Sequence, residues 1–370
     1  MKTKSFFIIL LLLSLLQPRL LAQIDPDKIS AQAGIVLDAD TLEVYWQRNS
    51  DLQKYPASIT KVLTALVVLE NANLDDLVEV SDNAIDSIIG NTLWLEYGEV
   101  QSVDNLLHGL LMVSANDAAV ALAEHVAGSV EKFALLMNAK AKELGAKSSN
   151  FVNPHGLHEK DHITTAEDMA LIFKGALANP EFLRIANCSE KTMPWHGKDE
   201  DRTIYHATLQ ALPFPWVIAN KNGYTDEAGQ TLVYGASKND TIFIAVLLDS
   251  SDIYNDMEEL LEGVYTSLCY HDIICSDKNF TLGQNLYRTQ GELKIAHLDD
   301  KDEIDNYVLL LDEDESSLHL AQGQVVLART EIARISEELS KKMPLSWLIY
   351  AWPFMLLFWV IYIYKLRRLN

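Results

Sequence analysis

Three short groups of residues in this chain of 370 residues have the types and spacing for nucleophilic chemistry. Ser58-Ile-Thr-Lys61 sets a hydroxyl and an amine at i and i+3, which on a helix share one face a turn apart. A lysine taken out of water, or placed beside another cation, loses its proton readily and can then accept one from the serine. A serine at a helix start also has backbone N–H groups at hand for an oxyanion. Ser114-Ala-Asn116 puts a hydroxyl and an amide between the apolar runs Leu110-Leu-Met-Val and Ala118-Ala-Val-Ala-Leu, where polar groups need partners. Lys221-Asn222-Gly223, just ahead of an expected strand, offers a cation for a carboxylate and a glycine that lets a ligand close on the backbone.

Each group has a plainer reading. A second Ser-x-x-Lys, Ser129 to Lys132, follows Gly128 and opens a charged helix, so there the serine reads as a cap. Ser-x-Asn recurs at Ser81, Ser148 and Ser237 in polar, turn-like sequence, and Ser114 itself could cap a helix. Asn-Gly is the favoured pair of a type I′ turn, the stronger reading of 222–223 on local grounds. His155 and His162 have no acids at a ligand spacing and read as structural residues, so no metal is expected. Trp195-His-Gly and Phe214-Pro-Trp read as loop packing.

The elements that must position these groups follow from periodicity. Gly34-Ile-Val-Leu, the turn Asp38-Ala-Asp-Thr and Val44-Tyr-Trp predict a hairpin. Ile59, Val62, Leu63, Leu66 and Leu69 predict a helix over Ser58–Glu70. The stretch from Val103 to Leu144 is helical with breaks near Ser114 and Gly128, and Thr165-Ala-Glu-Asp opens another helix. Thr231–Ala236 and Thr241–Leu248 predict a second hairpin, followed by a helix over Asp252–Tyr270. Strands flanking a helical middle give an α/β or α+β sandwich with a mostly antiparallel sheet. After Cys275, Leu286-Tyr-Arg, Leu293-Lys-Ile and Tyr307-Val-Leu-Leu-Leu alternate with acidic turns such as Asp299–Asp305, which predicts a small β-rich domain; the spacing of Ile332, Ile335 and Leu339 leaves its end helical or extended.

Composition narrows the partners. The chain is 49% hydrophobic with 10 Pro and 16 Gly, which excludes disordered and collagen-like classes. Thirty basic against 52 acidic residues give a net charge of −22. Both ends are basic, so the body is more acidic still and would be repelled by nucleic acid. Cys188, Cys269 and Cys275 are too few for a disulfide framework; Cys269 and Cys275 could pair in an oxidising compartment or stay free. Met1-Lys-Thr-Lys, the apolar run Phe6–Leu16 and Ala22 have the order of a secretory signal peptide over 1–22; Leu20, three back from the cut, leaves an uncleaved anchor as the alternative. Leu345–Tyr364 is uncharged, apolar all round and long enough to span a bilayer. With Lys365-Leu-Arg-Arg behind it, it predicts one transmembrane helix, a cytoplasmic tail over 365–370 and a body on the far side of the cytoplasmic membrane.

The order and context of the three groups resemble the serine-type D-alanyl-D-alanine carboxypeptidases, the low-molecular-mass penicillin-binding proteins of peptidase family S11. The resemblance runs from about Ile29 to Ser267. It rests on Tyr55-Pro-Ala-Ser-Ile-Thr-Lys61, Leu110–Ala119, Phe151-Val-Asn-Pro-His-Gly156, His162–Asp168 and Gly223-Tyr-Thr-Asp-Glu-Ala-Gly229. It implies a β-lactamase/transpeptidase-like α/β domain over 23–270, with an antiparallel sheet flanked by helices, then a small β domain over 271–343 and the anchor over 345–364. It implies that Ser58 attacks the D-Ala-D-Ala carbonyl, Lys61 accepts the proton, Ser114 relays one to the leaving amine and Asn116 holds the substrate amide. Lys221 and Asn222 would bind the terminal carboxylate, Gly223 would let the substrate approach, and the N–H groups of Ser58 and Tyr224 would form the oxyanion hole. The implied ligands are peptidoglycan stem peptides and β-lactams, with no cofactor. One departure stands out: the family has Thr or Ser where this chain has Asn222, an amide that cannot pass a proton as a hydroxyl does. An Arg that some members carry after the following strand is replaced by Asp249-Ser-Ser. The same residues would serve a D,D-endopeptidase, Asn222 motivates a weakly active penicillin-binding scaffold, and no Glu is identifiable for a β-lactamase.

Overall fold

The computed structural model describes residues 24–334, apart from 87–88, 208–215, 239–240, 275–276, 278, 283–284, 292, 298–307, 313–315 and 323–324. The expected signal peptide, the expected span at 345–364 and its tail lie outside the described residues, as do Ile335 and Leu339. So does the side-chain chemistry of Cys269 and Cys275. Among the described residues no helix is long and apolar enough to cross a membrane. The chain divides into two compact units, with a boundary between Tyr270 and His271.

The first unit begins with the hairpin of β1 (Ala33–Asp38) and β2 (Val44–Arg48). Its turn forms because the Asp38 carboxylate accepts the N–H groups of Asp40 and Thr41, both at 2.8 Å. Seven helices and two small two-stranded sheets follow: α1 (Thr60–Asn71), β3 (Leu77–Glu79), α2 (Asp82–Asp86), β4 (Val100–Ser102), α3 (Val103–Met112), α4 (Asn116–Ala127), α5 (Val130–Glu143), α6 (Ala166–Leu177), then α7 (Pro180–Ala186), β5 (Glu190–Met193) and β6 (Arg202–Tyr205). That makes α7 the seventh and shortest but one of the series. Long strands β7 (Val217–Thr225), β8 (Gly229–Lys238) and β9 (Thr241–Ser250) precede α8 (Ile253–Ser267). The main sheet runs β2-β1-β9-β8-β7, antiparallel throughout.

Side-chain alternation on β9 divides the packing. Ile244, Val246 and Leu248 join the large core with α1 and α3–α7, whereas Phe243, Ala245 and Leu247 face α8 on the other side. Both faces being covered, β9 reads as one continuous apolar run. Ala219 of the edge strand β7 belongs to the large core. Lys221 and Gly223, two and four residues on, share that face, the one on which α1 starts.

Local signals set the helix ends. Ser129 Oγ accepts the Lys132 N–H, Thr165 Oγ1 accepts the Asp168 N–H, and Gly128 ends α4 at φ +79°. The first departure from periodicity is at Ser58: the expected helix starts as a 3₁₀ turn, Ala57–Ile59, and becomes α-helical at Thr60. The second is at the other end, where α8 stops at Ser267. The third concerns Asn222-Gly223, which form no turn. They lie inside β7, paired with Leu232 and Thr231 of β8. Pairing along a long hairpin overrides the local preference of Asn-Gly.

The second unit contains a five-stranded antiparallel sheet in the order Asn279–Leu282, Asn285–Thr289, Val325–Arg334, Ser317–Gln322, Val308–Leu311. Tyr287, Leu318 and Ile332 form its small core, so Ile332 is extended rather than helical.

Candidate active site

The 3₁₀ turn that carries Ser58 is held from three sides. Ala57 has φ +50°, a left-handed conformation that an L residue with a Cβ resists. Thr231 Oγ1 on β8 donates to Pro56 O at 2.8 Å. Behind the turn lies the loop ending at Gly156, where an added Cβ would fall 1.8 Å from Ala57 O. On the sheet side, a Cβ on Gly223 would come within 2.5 Å of Ser58 N. Two glycines therefore let two segments close on the turn, and β7 runs directly past the serine's amide.

Lys61 is fully buried, and its Nζ lies 2.9 Å from Ser58 Oγ. Nζ also donates to the carbonyl of His155 at 2.6 Å. Burial holds the Lys61 ammonium well below the usual lysine range, the charge of Lys221 adds to that, and Asp117 opposes it. A neutral amine that spends one N–H on a carbonyl can turn its lone pair toward the hydroxyl. Ser58 itself is only partly buried. An accessible hydroxyl and a hidden amine are thus one hydrogen bond apart.

Ser114 lies in the break between α3 and α4 at φ +62° and is buried. It does not cap α4: Ala115 is the N-cap residue and makes no side-chain cap bond. Asn116 Nδ2 donates to Ile89 O at 2.7 Å, while its Oδ1 is buried without a partner. An unpaired buried acceptor is costly unless something arrives to satisfy it. Lys221 is buried, and its Nζ donates to the carbonyl of Asn222 at 2.8 Å. Burial pushes the Lys221 ammonium down to about 7. Asn222 Nδ2 donates to the hydroxyl of Tyr254, at the start of α8, at 3.3 Å. The Tyr224 side chain turns outward to Asp226, so only its backbone borders the site.

A matching profile for the D-alanyl-D-alanine carboxypeptidase family covers residues 21–252, which include Ser58, Lys61, Ser114, Asn116 and Lys221–Tyr224. The chain belongs to that family. It is 35% identical over 228 residues to D-alanyl-D-alanine carboxypeptidase DacF of Bacillus subtilis, which covers 60% of this chain and 58% of DacF. The chain thus spans less than two thirds of that relative's length. It is 30% identical over 229 residues to a D-alanyl-D-alanine endopeptidase of Pseudomonas aeruginosa, covering 61% of this chain and 74% of the relative. Among solved structures, a D-alanyl-D-alanine carboxypeptidase from Mycobacterium tuberculosis matches with a TM-score of 0.63 at 29% identity, over 68% of this chain and 96% of that one.

Within this family framework, several supporting residues escaped a reading by motif. His155 meets Lys61 through its carbonyl, while its ring Nδ1 accepts the Leu157 N–H. His162 is a brace: Nε2 lies 2.8 Å from Thr60 Oγ1, and Nδ1 accepts the Val152 N–H. Burial, with the Lys61 charge second, pushes both rings down to about 3, so both are neutral at ordinary pH. Asp117 accepts the N–H groups of Leu93 and Leu95 and ties the loop before β4 to the Ser114–Asn116 turn. In the sequence it stands out only as part of the Leu110–Ala119 stretch, next to Asn116. Among the described residues no group of His, Cys, Asp or Glu is arranged to hold a metal.

Proposed function

We propose that this protein is a serine D,D-carboxypeptidase that removes the terminal D-alanine from peptidoglycan stem peptides and is acylated by penicillins. The observation that carries this reading is the fully buried Lys61 amine 2.9 Å from the accessible Ser58 hydroxyl. In this scheme Ser58 Oγ attacks the carbonyl carbon of the terminal peptide bond and its proton passes to Lys61. The tetrahedral intermediate expels the D-alanine amine, to which Ser114 relays a proton. Water then adds to the Ser58 ester and releases the shortened peptide, restoring the hydroxyl. Asn116 Oδ1 accepts a substrate amide N–H, and Lys221 with Asn222 receives the terminal carboxylate. The amides of Ser58 and Tyr224 receive the oxyanion, and Gly223 supports this by keeping β7 close to the Ser58 N–H.

The unit works on the outer side of the cytoplasmic membrane in this proposal, exported by the 1–22 leader and anchored by the 345–364 span. A fluorescent penicillin should label the purified protein, which should also release D-alanine from a pentapeptide. Ser58→Ala should abolish both; persistent labelling would exclude Ser58 as the nucleophile.

A second reading, a penicillin-binding scaffold with little turnover, is favoured by Asn222, whose amide is already engaged with Tyr254. D-alanine release by the native chain and by Asn222→Thr separates the two. No native release with a gain of at least about tenfold in the variant supports the scaffold, whereas vigorous native release ends it. The endopeptidase alternative uses the same residues on cross-linked peptides, and product analysis on cross-linked muropeptides tests it.

A further inference from the structure

The first turn of α8, which carries none of the three chemical groups, is fastened to the main sheet beside β7. The Ile253 N–H donates to Gln230 Oε1 on β8 at 2.9 Å. The Asp252 N–H is shared between Ser250 Oγ at 3.0 Å and Ser30 Oγ at 3.2 Å. The Ile253 side chain is buried in the core that α8 shares with β8 and β9. These contacts leave Tyr254 little freedom. Its half-buried ring packs against the same core, and its hydroxyl reaches β7, where Asn222 Nδ2 donates to it at 3.3 Å.

The pair stands next to the nucleophile. Asn222 precedes Gly223, whose absent Cβ would fall 2.5 Å from Ser58 N. Successive side chains on a strand point to opposite faces, so Lys221 lies on one face of β7 and Asn222 on the other. Because β7 is the edge strand of its sheet, groups on its two faces can converge on a ligand lying along that edge. A cation can therefore meet the ligand from one side, and the amide–phenol pair from the other.

Hydrogen-bond accounting leaves donors over at this pair. The Asn222 amide has two N–H groups and gives one to the phenol. Among the described residues, neither its second N–H nor the Tyr254 O–H has an acceptor. A hydroxyl that accepts a hydrogen bond is polarised by it and donates more strongly. Two donors with nothing to donate to suit an anion. Asp249, in the segment that stands in place of the arginine of some relatives, brings no cation here, and its Oδ2 is paired with Lys54 Nζ at 2.7 Å. Lys221 then supplies charge to the anion, and hydrogen bonds must supply direction.

We propose that Tyr254 is a specificity-determining residue whose hydroxyl donates to the substrate's terminal carboxylate, supplying from α8 the O–H that Asn222 cannot supply from β7. This deepens, and rests on, the carboxypeptidase reading, in which Lys221 and Asn222 receive that carboxylate. Asn222 and Tyr254 act as a unit, the amide aiming the phenol and the phenol meeting the anion. Replacement of a hydroxyl at position 222 is thus offset by a residue 32 positions further on.

The test compares acylation of the full-length protein by benzylpenicillin, which carries a carboxylate, and by its methyl ester, which does not. Tyr254→Phe keeps the ring and removes the hydroxyl. It should slow acylation by benzylpenicillin by about tenfold or more and leave the methyl ester rate within about twofold of native. D-alanine release from diacetyl-L-Lys-D-Ala-D-Ala should fall in parallel. In an Asn222→Thr background, where β7 has its own hydroxyl, Tyr254→Phe should cost less than about threefold. Equal slowing with both penicillins would make Tyr254 a packing residue only, and an unchanged benzylpenicillin rate would remove it from the site; either result overturns the proposal. A native protein that neither takes up benzylpenicillin nor releases D-alanine would instead defeat the carboxypeptidase reading, and the role of Tyr254 with it.

Discussion

At the scale of single residues, the proposed mechanism asks opposite things of two buried lysines. Lys61 has to be neutral to take the serine's proton, and Lys221 has to be charged to hold a carboxylate. Burial pulls both down, and Lys61 has the added repulsion of Lys221. The proposed reaction runs only while Lys61 is neutral and Lys221 is charged. As pH rises, kcat/KM should climb as Lys61 loses its proton and then fall near pH 7 as Lys221 loses its own. A bound carboxylate stabilises the Lys221 charge, so the falling limb of kcat should lie at higher pH than that of kcat/KM. Lys221→Arg, which stays charged, should remove the alkaline limb from kcat/KM while leaving the acid limb in place. An alkaline limb that persists in this variant would assign it to another group.

At the scale of elements, the geometry of the nucleophile depends on close approach. Ala57 at φ +50° is ordinary backbone neither for an α-helix nor for a 3₁₀ turn, and three neighbours hold it there. Gly156 carries the largest share, because its missing Cβ is occupied by a backbone carbonyl that cannot rotate away. Gly156→Ala is therefore expected to shift the Ala57–Ile59 turn, to slow penicillin acylation by at least about 100-fold and to destabilise the fold by roughly 3 kcal/mol. Stopped-flow acylation and thermal unfolding would measure the two effects separately. Acylation at the native rate would show that the turn does not depend on this contact. Gly109, in α3, is a useful contrast: there an added Cβ would meet only the end of the Leu93 side chain, which can move.

At the scale of the whole molecule, the large core is threaded by polar groups that must stay uncharged. His155 and His162 have been pushed to about 3 and His206 to about 4, each chiefly by burial. Below their ordinary value of 6.5 the unfolded chain takes up protons that the folded chain refuses. Stability should consequently fall as pH drops from about 6.5 toward 3, by on the order of 2 kcal/mol per histidine at pH 5. His162→Gln should be less stable at pH 7, having lost the fit to Thr60, yet show a shallower loss between pH 7 and pH 5. Thermal unfolding across that range checks this, and parallel slopes would contradict it.

The sequence alone determined the helices α1, α3–α6 and α8, the β1–β2 and β8–β9 hairpins and the order of the three chemical groups. Apolar spacing of 3.6 or 2, capping hydroxyls and glycines act over a few residues and can be read from them. It also placed Ser58 and Lys61 on one face, since that pairing spans a single turn. Only the tertiary structure decided that Asn222-Gly223 continue a strand, because eight residue pairs zip β7 to β8 more strongly than two residues favour a turn. It alone showed the His155 carbonyl on Lys61 and the Asn222–Tyr254 bond. Those contacts join residues 94 and 32 positions apart, and neither burial nor the direction of a backbone carbonyl is encoded by any local pattern.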